Sequence, residues 1–132
     1  MAGDTFVLDL VTPERTFFSG PVQEFVAPGV LGEFGVLPGH ASMLAELTIG
    51  RLRYRDASGE KALVTSGGFA EVTGTKVTAL LDAAFFVEDL DLAEIGKQIA
   101  DLEARAPAAE DEAFEEWQKK IAWRRFCQEQ VK

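Results

Sequence analysis

The chain has 132 residues, enough for one ordinary domain with an appendage and for a core that needs no covalent staples. Acidic residues outnumber basic ones by 22 to 13, for a formal charge of −9, so the long-range field repels a phosphate backbone and nucleic-acid binding is not expected. A lone Cys127 excludes a disulfide framework and a cysteine-based zinc site, and neither a secretory signal in MAGDTFVLDL nor an apolar run of about eighteen residues is present, so membrane association is expected only through a partner.

From Thr5 to about Val87, short runs with a period of two alternate with turn signals, the pattern of a small all-β sandwich or barrel. TFVLDLV puts Phe6, Leu8 and Leu10 on one side. FVAPGVLGEFGVLPG carries glycine and proline at a density that forbids a helix. In GRLRYR, Leu52 and Tyr54 point one way while Arg51, Arg53 and Arg55 point the other, the solvated face of a half-buried strand. DASGE reverses the chain, KALVTS returns, GGFAEV makes another strand, and TGTK leads into VTALLD, where Val77, Ala79 and Leu81 share a face.

Near Leu90 the period changes. Asp91 is placed to cap a helix on which Leu92, Ile95, Ile99 and Leu102 form one narrow stripe, ending near Arg105 before the break at Pro107. The acidic run Glu110 to Glu112 marks the start of a second helix, which makes a helical hairpin the economical arrangement. On that helix Phe114, Trp117 and Ile121 form a stripe whose continuation is Arg124, Arg125 and Gln128, whereas Trp123, Phe126 and Cys127 fall on the opposite side. The apolar face therefore changes sides, and the last two turns are expected to pack against something other than the first helix.

Chemistry finds little purchase. His40, the one histidine, lies in GEFGVLPGHASML with Glu33 seven residues upstream, but a single histidine between Pro38, Gly39 and Ala41 is better read as a loop or surface residue than as a general base. No serine sits in a nucleophile elbow, no metal-ligand spacing is present, and GGFAEVTGTK lacks the spacing of a phosphate loop. No catalytic residue, cofactor or metal is expected. The cluster Lys119, Lys120, Arg124 and Arg125 is basic in an otherwise acidic chain, and two readings stand side by side: it complements the C-terminal end of the helix dipole, or it meets an acidic patch on a partner.

The order FFSG, GEFGVLPGHA and SGGF, within LDLVTPERTFFSGPVQEFVAPGVLGEFGVLPGHASMLAEL, GRLRY, SGGFAEV and VTALLDAAFF and closed by two helices, resembles the epsilon subunits of bacterial F-type ATP synthases along the whole chain. That resemblance implies a ten-stranded β-sandwich over residues 1–88 and a C-terminal antiparallel two-helix hairpin over residues 89–132. It implies a rotor subunit of the central stalk, peripheral on the cytoplasmic face of the inner membrane, without catalysis of its own. Its implied partners are the gamma subunit, the ring of c subunits and, through the hairpin, the alpha and beta subunits of the catalytic head, where the extended hairpin inhibits ATP hydrolysis. Carried onto this sequence, Glu33 and His40 match the ring-contact positions, with Met43 nearby. Lys119, Lys120, Trp123, Arg124, Arg125 and Phe126 become the regulatory contacts with the head and gamma. A nucleotide-sensing hairpin is the alternative, but the family's nucleotide motif runs Ile or Leu, Asp, two variable residues, Arg, Ala. Leu90 and Asp91 fit it, while Glu94 and Ile95 stand at the Arg and Ala positions, and a carboxylate repels a phosphate.

Overall fold

The computed structural model describes residues 4–131. Among them the chain forms ten strands followed by two α-helices. The strands are β1 Phe6–Val11, β2 Thr16–Val22, β3 Glu24–Gly29, β4 Gly32–Val36, β5 Met43–Leu47, β6 Gly50–Asp56, β7 Gly59–Thr65, β8 Gly68–Val72, β9 Lys76–Leu81 and β10 Ala84–Phe86. The helices are α1 Leu92–Ala104 and α2 Ala113–Gln130. This is the expected sandwich followed by a helical pair. Two compact units divide between Phe86 and Val87.

In the first unit the period-two pattern decides which side chains go inward. Phe6, Leu8 and Leu10 are buried while Val7 and Asp9 face outward, and Val77, Ala79 and Leu81 repeat the arrangement in β9. Strand β2 folds back antiparallel on β1, and β9 lies parallel to β1 on its other side, the one parallel pair among the described residues. Strands β8 and β5 complete one five-stranded half. The other half runs β4, β3, β6, β7, β10. The halves join at a corner, where β3 passes its pairing from β6, at Glu24 to Val26, to β5 through the single pair Gly29 and Leu47.

Curling the sheet at this corner lets both inner faces share one core, which includes Leu8, Leu10, Val22, Phe25, Leu52, Tyr54, Leu63 and Val77. The ring of Phe18 lies on Tyr54 with centroids 4.3 Å apart, and Phe17 meets Phe86 at 5.6 Å. The buried Thr65 hydroxyl accepts the Gly67 N–H at 3.1 Å and donates to the Ala83 carbonyl at 2.9 Å, so it enters the core with its polar capacity used. Strand β8 opens on Gly68 at φ +147°, where a Cβ would fall on the Leu80 carbonyl oxygen and within 2.9 Å of the Leu81 Cα.

The outward Arg53 and Arg55 are neutralised locally. Arg53 reaches Glu60 at 3.0 Å and Glu24 at 3.4 Å, and Arg55 reaches Glu24 at 3.7 Å while donating to the Gln23 amide oxygen at 2.7 Å. On the other half, Ser19 donates to Asp9 at 2.6 Å and Lys76 approaches its second oxygen at 3.1 Å, and these partners hold the Asp9 carboxyl below its ordinary range.

In the second unit, the Asp91 carboxylate accepts the N–H groups of Ala93 and Glu94 at 3.0 and 3.2 Å, the cap expected from its position. Ile95 and Ile99 are buried. A second carboxylate, Asp111, accepts the Ala113 N–H at 2.8 Å as α2 begins. Trp117 donates its indole N–H to the Leu102 carbonyl at 2.7 Å, near the C-terminal end of α1, and stacks on Phe114 with centroids 5.5 Å apart.

Candidate functional site

The candidate ring-contact residues lie on and after β4. Backbone pairing places Glu33 opposite Pro28, one residue from the turn that joins β3 to β4, on the exposed side of an edge strand. The chain then passes Leu37, Pro38, Gly39 and His40. The His40 N–H donates to the Leu37 carbonyl at 3.1 Å, and Pro38 followed by Gly39 at φ +81° is the dipeptide that a type II turn requires.

Half-buried His40 sets Nδ1 2.7 Å from the carbonyl of its neighbour Ala41, and since a carbonyl only accepts, Nδ1–H is the donor in that bond. No hydrogen bond joins His40 to Glu33. About 10 Å of strand separates Glu33 from Val36, and His40 lies four residues beyond. With Glu33 at the start of β4, His40 in the loop after it and no bond between them, they are not joined as an acid and base pair. Met43, at the start of β5, is half-buried and packs against the core, so only part of its thioether surface faces out.

The structure draws attention to two residues that the sequence reading passed over. Val30 and Leu31 form the tip between β3 and β4, and Leu31 is fully exposed. Two branched apolar residues occupy a turn where glycine, asparagine or aspartate is the usual choice, and that mismatch was the available signal.

Among the head-contact candidates, Lys119 and Lys120 are exposed on α2, and Trp123 and Phe126 are half-buried. Arg124 and Arg125 are already engaged. Arg124 donates from Nε to Gln98 at 3.1 Å and to the Lys120 carbonyl at 3.1 Å, and Arg125 meets Glu103 at 2.7 Å. The expectation that the last turns of α2 turn away from α1 is thus modified: the polar continuation of the Ile121 stripe is matched to polar residues of α1. Glu94 stands in the first turn of α1, with the Gln98 side chain 3.4 Å away. Among the described residues, no group of three His, Cys, Asp or Glu side chains converges as a metal site would require.

Cys127 is buried, and that burial pushes its thiol up to about 11 from an ordinary 9.0. Since the thiolate is the nucleophile, alkylation at pH 8 is expected to run about 100-fold slower in the folded hairpin than in urea. The sign for stability follows the same shift. Below pH 9 both states hold the proton; between about 9 and 11 the open chain loses it first, so the hairpin weakens as pH rises through that window. Helical melting that does not fall between pH 8 and pH 10.5 would contradict this.

The model of the ATP synthase delta/epsilon chain β-sandwich domain matches residues 5–87. An ATP synthase epsilon chain of Nitrobacter winogradskyi is 43% identical over 101 residues, covering 76% of this chain and 75% of that one. One from Pelotomaculum thermopropionicum is 41% identical over 120 residues, covering 91% of this chain and 81% of that one. Among solved structures, a chain of the Euglena gracilis mitochondrial ATP synthase, from its OSCP/F1/c-ring assembly in rotational state 1, superposes with a TM-score of 0.73 at 27% identity, over 95% of this chain and 79% of that chain. A chain from the central stalk and c-ring of the Tetrahymena thermophila mitochondrial enzyme shares the fold at a TM-score of 0.64 and 14% identity, over 96% of each chain. Sandwich, helical pair and sequence agree across both units, and the chain belongs to the ATP synthase epsilon chain family.

Proposed function

We propose that this chain is a non-catalytic subunit of the ATP synthase central stalk, turning with the rotor and coupling ion flow through the membrane sector to ATP synthesis in the head. The observation that carries this reading is the likeness to an epsilon chain over 91% of the sequence, more than the sandwich alone, at 41% identity. Its partners are gamma, the c ring and, through the hairpin, the alpha and beta subunits. Among the described residues no helix is long and apolar enough to cross a membrane, and the chain is held at the cytoplasmic face of the bacterial inner membrane by the complex.

In this reading the β3–β4 tip and the loop after β4 meet the polar loops of the ring, with Glu33 and His40 as polar contacts and Met43 beside them. Single cysteines at Glu33→Cys and His40→Cys, in a Cys127→Ser background, are expected to crosslink to c subunits in assembled membranes. Crosslinks to gamma alone, from both positions, would overturn the ring assignment.

The sandwich, residues 1–88, supplies the grip, and the hairpin, residues 89–132, supplies regulation, its basic residues Lys119, Lys120, Arg124 and Arg125 meeting an acidic segment of the head with Trp123 and Phe126 beside them. ATP sensing is the weaker reading. A carboxylate at Glu94 adds repulsion where a phosphate would need a cation, so titration calorimetry of the isolated subunit is expected to detect no binding at micromolar ATP. Micromolar affinity would restore the sensing role.

A further inference from the structure

One residue of α1 works against the helix it belongs to. Its surroundings favour helix: Asp91 caps the first turn, Glu94 sets an acidic side chain near the positive end of the dipole, and Ile95 and Ile99 are buried. Gly96, set among them, is the poorest helix former after proline.

A glycine inside a helix is ordinarily explained by a left-handed backbone or by a neighbour too close for a Cβ. Neither applies. Gly96 has no positive φ, and a Cβ built on it meets nothing within 4 Å. Alanine would fit, so the glycine weakens the helix without a steric reason.

The position of this weak point matters, because bonds to the second helix lie on one side of it. Arg124 reaches Gln98 at 3.1 Å, Trp117 reaches the Leu102 carbonyl at 2.7 Å and Arg125 reaches Glu103 at 2.7 Å, all beyond Gly96. On the near side stand the cap, the buried Ile95 and a bond between Glu94 and Gln98 that is long at 3.4 Å. A helix of 13 residues is too short to hold itself in water, so its less tied segment depends most on intrinsic propensity. That propensity is what Gly96 lowers. The cap closes residues 91–94 into one turn, so this end opens as a piece.

We infer that Gly96 is a built-in breaking point in α1, at which the first turn, Asp91 to Ile95, unwinds while Lys97 to Ala104 stays clasped to α2. The helical pair remains closed and its connection to the sandwich grows. Residues 87–91 link the last strand to α1 and span at most about 18 Å when extended; release through Gly96 adds residues 92–96 and doubles that reach to about 36 Å. The device is a tether of two lengths, extended without opening the hairpin. It needs no partner and stands independently of the stalk reading.

The test is amide hydrogen exchange, followed by NMR on the full chain. In the wild type, the amides of residues 95–97 are expected to exchange at least about tenfold faster, relative to their unstructured rates, than those of residues 102–104. Gly96→Ala should slow the first group about fivefold and leave the second within about twofold. Trp117→Phe should do the converse, speeding residues 102–104 while residues 95–97, already open more often, change little. Equal protection on both sides of Gly96, or a Gly96→Ala effect of the same size in both groups, would show that α1 opens as one unit and overturn the breaking point. Exchange that Gly96→Ala leaves unchanged throughout α1 would overturn it as well.

Discussion

Gly68→Ala is expected to abolish stable folding of the sandwich at 37 °C. The residue sits at φ +147°, and the added Cβ would occupy the space of the Leu80 carbonyl oxygen and press on the Leu81 Cα. Both belong to the backbone of β9, so no flexible side chain can swing away. Relief requires β8 and β9 to separate where Gly68 pairs Leu81, at the edge of the core. Backbone strain and overpacking together give a cost of at least about 3 kcal/mol, a large fraction of what a domain of this size has to lose. Gly74→Ala, in the turn before β9, is the control: a Cβ there meets nothing within 4 Å, and the change is expected to stay within about 0.5 kcal/mol. Urea titration compares the two, and equal midpoints would refute the steric account. The same geometry explains why SGGF served so well as a sequence landmark: its second glycine holds a position no other residue can occupy without moving the neighbouring strand.

Trp117→Ala is expected to open the helical hairpin. The indole N–H bonds the Leu102 carbonyl at 2.7 Å and the ring stacks on Phe114, so one side chain both ties and packs the closed end of the pair. The unit has few buried anchors, Ile95, Ile99, Ile121 and Cys127 among the described residues, and losing a half-buried tryptophan costs it about 2–3 kcal/mol. Trp117→Phe, which keeps a ring and forfeits the hydrogen bond, should cost about 1 kcal/mol. Cys127 reports the outcome without a label elsewhere: its alkylation at pH 8 should rise at least about tenfold in the alanine variant and much less in the phenylalanine one. Identical labelling in all three proteins would show that the indole does not hold the hairpin.

Much of the fold was legible because burial here follows simple periods. The inward sets of β1, β6 and β9 are those that alternation selects, and the Asp91 cap and the Ile95 and Ile99 stripe are where a helix needs them. Strand β7 is different: Leu63, Val64 and Thr65 are all buried, and the hydroxyl of Thr65 finds two backbone partners. A continuous buried run carries no period to read. The corner between β3 and β5 and the parallel pairing of β1 with β9 were also beyond local pattern, since both are choices among distant partners.

The candidate site was legible in its residues and less so in its arrangement. A loop built on Pro38 and Gly39 follows directly from the turn it makes. That Glu33 and His40 fall at different ends of β4 depends on where the strand stops, and that Arg124 and Arg125 are held by Gln98 and Glu103 depends on how far two long side chains reach across a helix pair.

The pairing of β1 with β9 also sets a schedule for the newborn chain. Val11 waits for Leu80, roughly 70 residues later, which at about 5–20 residues per second is several seconds of synthesis. Through that interval Phe6, Leu8 and Leu10 lack the strand that will cover one of their flanks, and closing so long a loop comes before the contacts that reward it. The sandwich is therefore a late-closing fold, whose N-terminal hairpin is most exposed to wrong partners before the last third of the chain has been made.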